Sequence, residues 1–166
     1  ENYVLCKFND PLYIVFSSGT TGKPKCITHS IGGVLIQHAK EHLLHINLNE
    51  KQKMFYFTTC GWMMWNWLVG SLFCKSSIVL YEGSPFYPNP EHLWKIAEKS
   101  KVSIFGTSAK YIDALSKSNI IPKRNFTLSN LRTICSTGSP LSPDSYDYIL
   151  NNIKSDVQIA SISGGT

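Results

Sequence analysis

Arginine is almost missing from this chain: Arg124 and Arg132 stand against fourteen lysines. Proteins that read nucleic acid rely on arginine forks for bidentate contacts to bases and phosphates. The lysines run from Lys7 to Lys154 without forming a block, so the net charge of +5 describes a solvated surface and no nucleic-acid partner is expected. The five cysteines are odd in number and never spaced as C-x-x-C, which excludes a disulfide framework and a zinc site of the common spacing. That usage fits the reducing cytoplasm. The longest apolar stretch, residues 61–74, is fourteen residues long and contains Asn66, short of the roughly 20 needed to span a bilayer. No G-x-S-x-G elbow occurs, so serine hydrolase chemistry has no support. The N-terminus lacks a basic start, an apolar core and an initiator Met, and the last residues, Ser163-Gly164-Gly165-Thr166, read as a turn. The expectation is a piece of a longer protein.

What is present is enough for one core. Of 166 residues, 43% are hydrophobic and 16% charged, the balance of a single folded domain that needs neither disulfides nor a metal. β-rich apolar runs recur at residues 12–16, 54–58, 77–81, 102–105, 131–135 and 157–162. Each is the continuous kind expected of a strand buried on both faces. Helical patterns separate them at residues 30–46, 62–73, 91–100, 108–117 and 142–153. In the first, Ile31, Leu35, His38, His42 and Ile46 fall on one stripe, with Gln37, Lys40 and Glu41 facing away. The last opens with Ser142-Pro143-Asp144, a capping residue, a proline at the first helical position and an acid in the first turn. Alternating strand and helix predict an α/β fold with a mainly parallel sheet flanked by helices. Ligands of such sheets collect beyond the carboxyl ends of the strands.

The most informative nine residues follow the first strand: Ser17-Ser18-Gly19-Thr20-Thr21-Gly22-Lys23-Pro24-Lys25. Hydroxyls, small residues that expose backbone N–H groups, and two lysines are the chemistry of a loop that wraps phosphates. It is not a Walker A loop, because only Thr20 and Thr21 separate its glycines and Pro24 follows Lys23. The alternative is an ordinary Gly/Ser turn.

This loop resembles the phosphate-binding signature of the adenylate-forming superfamily, which includes acyl-CoA synthetases, luciferases and peptide-synthetase adenylation domains. Two later segments match the family in order. Ser136-Thr137-Gly138-Ser139-Pro140-Leu141 is similar to its Gly-x-Pro adenine-contact segment, and Ser161-Ile162-Ser163-Gly164-Gly165-Thr166 to the turn that holds the adenine and α-phosphate. Phe57-Thr58-Thr59-Cys60-Gly61-Trp62-Met63-Met64-Trp65-Asn66-Trp67 places the chain in the acetyl-CoA-synthetase-like branch. Where acetate-using relatives carry two tryptophans in the terminal turn, this sequence has Ser163 and Gly164.

The resemblance implies an ATP-dependent acid–thiol ligase that activates a short carboxylic acid and transfers it to coenzyme A. ATP and Mg²⁺ are the implied cofactors and coenzyme A the co-substrate. Residues 1–166 would be part of the AMP-binding N-terminal domain, without the C-terminal lid domain. Thr21 and Lys25 are the implied catalytic residues. Gly138, Ser139 and Pro140 would meet the adenine, and Thr166 matches the threonine of the terminal turn. Trp62, Met63 and Met64 would border the acyl and pantetheine pocket, which Gly164 opens to an acid longer than acetate, acetoacetate being the expected one. The family's Mg²⁺ ligand would fall one position after Thr166 and its lysine on the lid, so the chain alone is expected not to turn over.

Other constellations carry less. Trp62, Met63 and Met64 are also normal core fillers. His38, His42 and His45 lie at helical spacing that suits a metal, but no carboxylate or cysteine is placed to complete the site, and packing at the edge of the core is expected. His29 is expected to support the loop. A non-catalytic nucleotide-binding or interaction domain of the same architecture is the reading from another class.

Overall fold

The computed structural model describes residues 2–17 and 22–166. A short antiparallel hairpin, β1 (Pro11–Ser17) and β2 (Lys25–Ser30), precedes a five-stranded sheet. The sheet contains β3 (Lys53–Tyr56), β4 (Ser77–Val79), β5 (Ile104–Ser108), β6 (Thr133–Thr137) and β7 (Gln158–Ser161) in the order β4-β3-β5-β6-β7. Every pairing in it is parallel. The helices are α1 (Ile31–Lys40), α2 (Met63–Gly70), α3 (His92–Ser100), α4 (Ala109–Lys117) and α5 (Pro143–Tyr148). Helices α1 and α5 widen into π-helical turns over Glu41–His45 and Ile149–Ile153. No helix among the described residues is long and apolar enough to cross a membrane.

Strand periodicity sorts the side chains onto two faces. Phe55, Phe105 and Ile134 sit side by side in register and pack under α3, α4 and α5 with Leu93, Trp94, Ile112, Leu115 and Ile149. Trp94 stacks on Phe105 with ring centroids 4.2 Å apart. Met54, Tyr56, Ile104 and Cys135 point the other way, toward Met64, Trp67 and Leu68 of α2. Gly106 is required on that face, because a Cβ there would overlap the Tyr56 ring. Both faces of the central strands are therefore buried, as continuous apolar runs require.

The helix starts follow their capping residues. Ser30, Ser108 and Ser142 each accept a hydrogen bond through Oγ from a backbone N–H in the first turn, of Gly33, Tyr111 and Ser145 respectively. Arg132 donates through Nη2 to the carbonyls of Ile46 and Asn47, at 2.6 and 2.8 Å, and to Gln52 Oε1 at 2.7 Å. One of the two arginines is thus a clamp between the start of β6 and the segment after α1.

Two expectations need correction. The first strand does not join the parallel sheet and pass to a helix; the chain returns as β2, so the glycine-rich loop is the tip of a hairpin. The signal for β2 is short, with Ile27 and Thr28 the only β-branched residues between two lysine-bearing and serine-bearing ends. A hairpin packed on one face leaves alternate residues outside, so Leu12, Ile14 and Phe16 are exposed while Tyr13 and Val15 turn inward. On α1 the buried line runs Gly32, Val34, His38 and His42, and Leu35 is 47% exposed. Glu41 does not face away: it is half-buried and its Oε2 accepts from Trp67 Nε1 at 2.7 Å.

Candidate active site

The hairpin, α1, the start of α2 and the ends of β6 and β7 enclose a cavity of about 770 Å³. Two bonds join its β6 and β7 edges: Ile162 N–H donates to Ser136 O at 2.7 Å, and Thr137 Oγ1 donates to Ile162 O at 2.8 Å. A third contact brings the terminal turn to the hairpin, Thr166 Oγ1 lying 3.5 Å from Phe16 O. The Gly138 segment and the terminal turn therefore meet at the cavity, beside the end of β1, while Ser17 and residues 22–25 are not on its wall.

The hairpin tip closes on itself at its base, where Lys25 N–H donates to Ser17 Oγ at 3.3 Å. Gly22, Lys23, Pro24 and Lys25 are exposed, with open space around Gly22. Ser18, Gly19, Thr20 and Thr21 lie outside the described residues. Gly138 takes φ +92°, a conformation that favours glycine, where β6 leaves the sheet. It lies on the cavity wall with Thr137. Ser139 and Pro140 are exposed and do not line the cavity.

Ile162, Ser163, Gly164, Gly165 and Thr166 line the opposite edge, and Ser161 is exposed at the end of β7. Nothing lies within 4 Å of a Cβ built on Gly164 or Gly165, so neither glycine is there to relieve crowding from the described residues. Trp62, Met63 and Met64 all line the cavity at the start of α2. Trp67, one turn on, lines it too while packing its ring 4.4 Å from that of His42 and 5.9 Å from that of Tyr56.

The wall formed by β1, β2 and α1 puts His29 and His38, expected to support the loop and to pack at the core edge, beside Tyr13, which residue patterns did not single out. Tyr13 and His29 are cross-strand partners whose rings approach to 5.4 Å, and both reach the cavity. His38 is on the wall as well, so its place is lining and not only core packing. His42 is fully buried behind it, with Nε2 2.9 Å from Trp67 O. Burial lowers the His42 pKa to about 4, against the pull of that carbonyl, and His38 lowers it further. The available signal was the step of four from Gly33 to Gln37 to Glu41 and from Val34 to His38, starting at a capped helix directly after the loop. His45 is exposed.

Among the described residues no group of three His, Cys, Asp or Glu is placed to hold a metal. Glu41, the carboxylate on the cavity wall, is committed to Trp67 Nε1 and to Gln37 Nε2 at 2.7 Å each.

A parallel sheet with glycine-marked loops at the carboxyl ends of its strands, beside a hairpin, is an architecture that binds ligands at those strand ends. The chain belongs to the AMP-binding enzyme family, whose profile matches residues 3–160. It is 56% identical over 159 residues to acetoacetyl-coenzyme A synthetase of Rhizobium meliloti strain 1021 and 52% identical over 159 residues to acetoacetyl-CoA synthetase of Gallus gallus. Each alignment covers 96% of this chain and 24% of the relative. The solved structure of acetoacetyl-CoA synthetase from Streptomyces lividans superposes with a TM-score of 0.93 at 43% identity, covering 99% of this chain and 26% of that one. A luciferase-like enzyme from Zophobas morio matches with a TM-score of 0.74 at 25% identity, over 93% of this chain and 34% of that one. The chain thus spans about a quarter of the length of the curated relatives it matches.

Proposed function

We propose that this chain is part of the AMP-binding domain of an ATP-dependent acid–thiol ligase that makes acetoacetyl-CoA. The observation that carries the reading is the meeting of the Gly138 segment and the terminal turn on one cavity, beside the end of β1 where residues 17–25 begin. Similarity to acetoacetyl-CoA synthetases over nearly the whole chain supports the same reading. In the first half-reaction a carboxylate oxygen of acetoacetate attacks the α-phosphorus of ATP. The bond between the α-phosphorus and the α,β-bridging oxygen breaks, giving acyl-adenylate and pyrophosphate. In the second, the thiolate of coenzyme A attacks the acyl carbon and AMP leaves.

Each segment has a part in this. Residues 17–25 would hold the β- and γ-phosphates, with Thr21 and Lys25 aimed at the charge that builds on the leaving pyrophosphate. Gly138, Ser139 and Pro140 would meet the adenine face, and Ser161, Ile162, Ser163, Gly164, Gly165 and Thr166 the adenine edge and α-phosphate. Trp62, Met63 and Met64 would wall the acyl and pantetheine end. Mg²⁺ would enter with ATP as part of the substrate. A cytoplasmic location, where ATP and coenzyme A are both at hand, suits these substrates.

The test uses the full-length enzyme with Thr21→Ala and Lys25→Ala combined. ATP-dependent pyrophosphate release with acetoacetate is expected to fall by about 100- to 1,000-fold or more, the effect of losing preorganised charge-stabilising donors. Unchanged release would remove the phosphate role and the ligase reading with it.

A further inference from the structure

The cavity has two chemically different walls. Trp62, Met63, Met64 and Trp67 present an apolar surface from α2. Facing the same space, the hairpin and α1 bring the polar side chains of Tyr13, His29 and His38. The Tyr13 hydroxyl and His29 Nε2 are each buried and unpaired. His38 is 5% exposed and lines the cavity. Its Nδ1 edge abuts Gly70, where a Cβ would overlap the ring, so Nε2 is the edge left for a ligand. An unpaired buried polar group costs about 1–3 kcal/mol, and two in one wall, with the His38 ring on the same wall, mark a place where something else supplies the partner.

We infer that Tyr13, His29 and His38 form a polar acyl subsite that donates hydrogen bonds to an oxygen carried by the acid beyond its carboxylate, and so selects a 3-oxo acid over the alkanoic acid of the same length. The inference rests on the ligase reading and adds the residues that read the acyl chain. Their chemistry suits a ketone oxygen, which only accepts: a phenol O–H donates, and so does a neutral imidazole N–H. Burial holds the His38 pKa below its usual value, with nearby Glu41 opposing and His29 adding to the shift, so the ring is neutral near pH 7. Burial likewise keeps the Tyr13 phenol protonated. A methyl or methylene in place of the ketone would leave these donors unpaired, and sites built to hydrogen-bond a substrate reject analogues lacking the partner far more strongly than apolar pockets reject a missing methylene. The oxygen therefore carries more discrimination than chain length does.

The test measures kcat/KM for acetoacetate and for butyrate, which have the same chain length, by pyrophosphate release from the full-length enzyme. The wild type is expected to prefer acetoacetate by about 30-fold or more. His38→Leu, similar in volume and apolar, is expected to reduce that ratio at least 10-fold by lowering the acetoacetate value while leaving butyrate within about 3-fold. Tyr13→Phe, which removes one oxygen, is expected to reduce it by about 3- to 10-fold and decides the matter if His38→Leu does not fold. A wild-type ratio near one, or ratios unmoved in every variant that folds, overturns the subsite while leaving the ligase intact. A wild type that releases no pyrophosphate with any acid overturns the ligase reading and the subsite together.

Discussion

The sheet divides the molecule into two layers that bury different things. Under α3, α4 and α5 the core is aliphatic and aromatic: Trp94, Phe105, Ile112, Leu115, Ile134 and Ile149 are essentially inaccessible. Under α1 and α2 the same strands present Met54 and Tyr56 toward Trp67, with two buried histidines, a tyrosine hydroxyl and a cavity. The first layer is closely filled, although Trp94 Nε1 is unpaired in it; the second holds the cavity with the unpaired Tyr13 hydroxyl and His29 Nε2 on its wall, and both empty volume and unpaired polar groups cost stability. The cavity, with Gly138 and residues 162–166 on its wall, opens on that second layer.

Breaking the closed layer should give the largest effect on stability and none on acid choice. Trp94→Ala in the full-length protein is expected to cost about 3–5 kcal/mol in denaturant unfolding. Its acetoacetate-to-butyrate ratio should stay within 3-fold of wild type. A changed ratio would mean that the two layers are coupled.

Filling the open layer should do the reverse. Gly164→Trp finds no described atom within 4 Å of its Cβ, so the indole can enter the cavity. Acetoacetate use, read as kcat/KM, is expected to drop by about 10- to 200-fold relative to acetate, the range set by small changes in pocket size, with unfolding little altered. Undiminished acetoacetate use would show that the terminal turn does not bound the acyl group.

The smallest effect concerns pH. His42 titrates near 4 in the fold because burial disfavours its charged form, and near 6.5 when unfolded. Between those values the unfolded chain binds more protons, so stability falls as pH drops from about 6.5 toward 4, with a slope of up to about 1.4 kcal/mol per pH unit from this group. His42→Leu should flatten that part of the profile. His38, whose pKa burial also lowers, adds to the same slope. An unchanged profile would place His42 in a wetter setting than the closed packing against Trp67 allows.

Most of the sheet was legible because its strands are buried on both faces and read as unbroken apolar runs; the segments at 54–58, 102–105 and 131–135 became β3, β5 and β6 within a few residues. The hairpin was harder. Its return strand has few β-formers, and the apolar residues of β1 imitate a buried strand although Leu12, Ile14 and Phe16 point outward. Ser142-Pro143 marked a helix start because capping is a local interaction, fixed within one turn. The polar wall was not legible: Tyr13 and His29 become neighbours only through hairpin register, and His38 reaches the cavity only because α1 lies beside α2. Neither relation leaves a local pattern.

The most direct test of the shared site is a crystal structure of the full-length enzyme with a non-hydrolysable acetoacetyl-adenylate analogue. The adenine should lie between Gly138 and residues 163–166, the phosphate mimic beside Thr166 and the hairpin tip, and the acyl chain between Met63, Met64 and His38. An analogue bound with its adenine away from Gly138, or with its acyl chain outside the cavity that α1 and α2 enclose, would contradict the account.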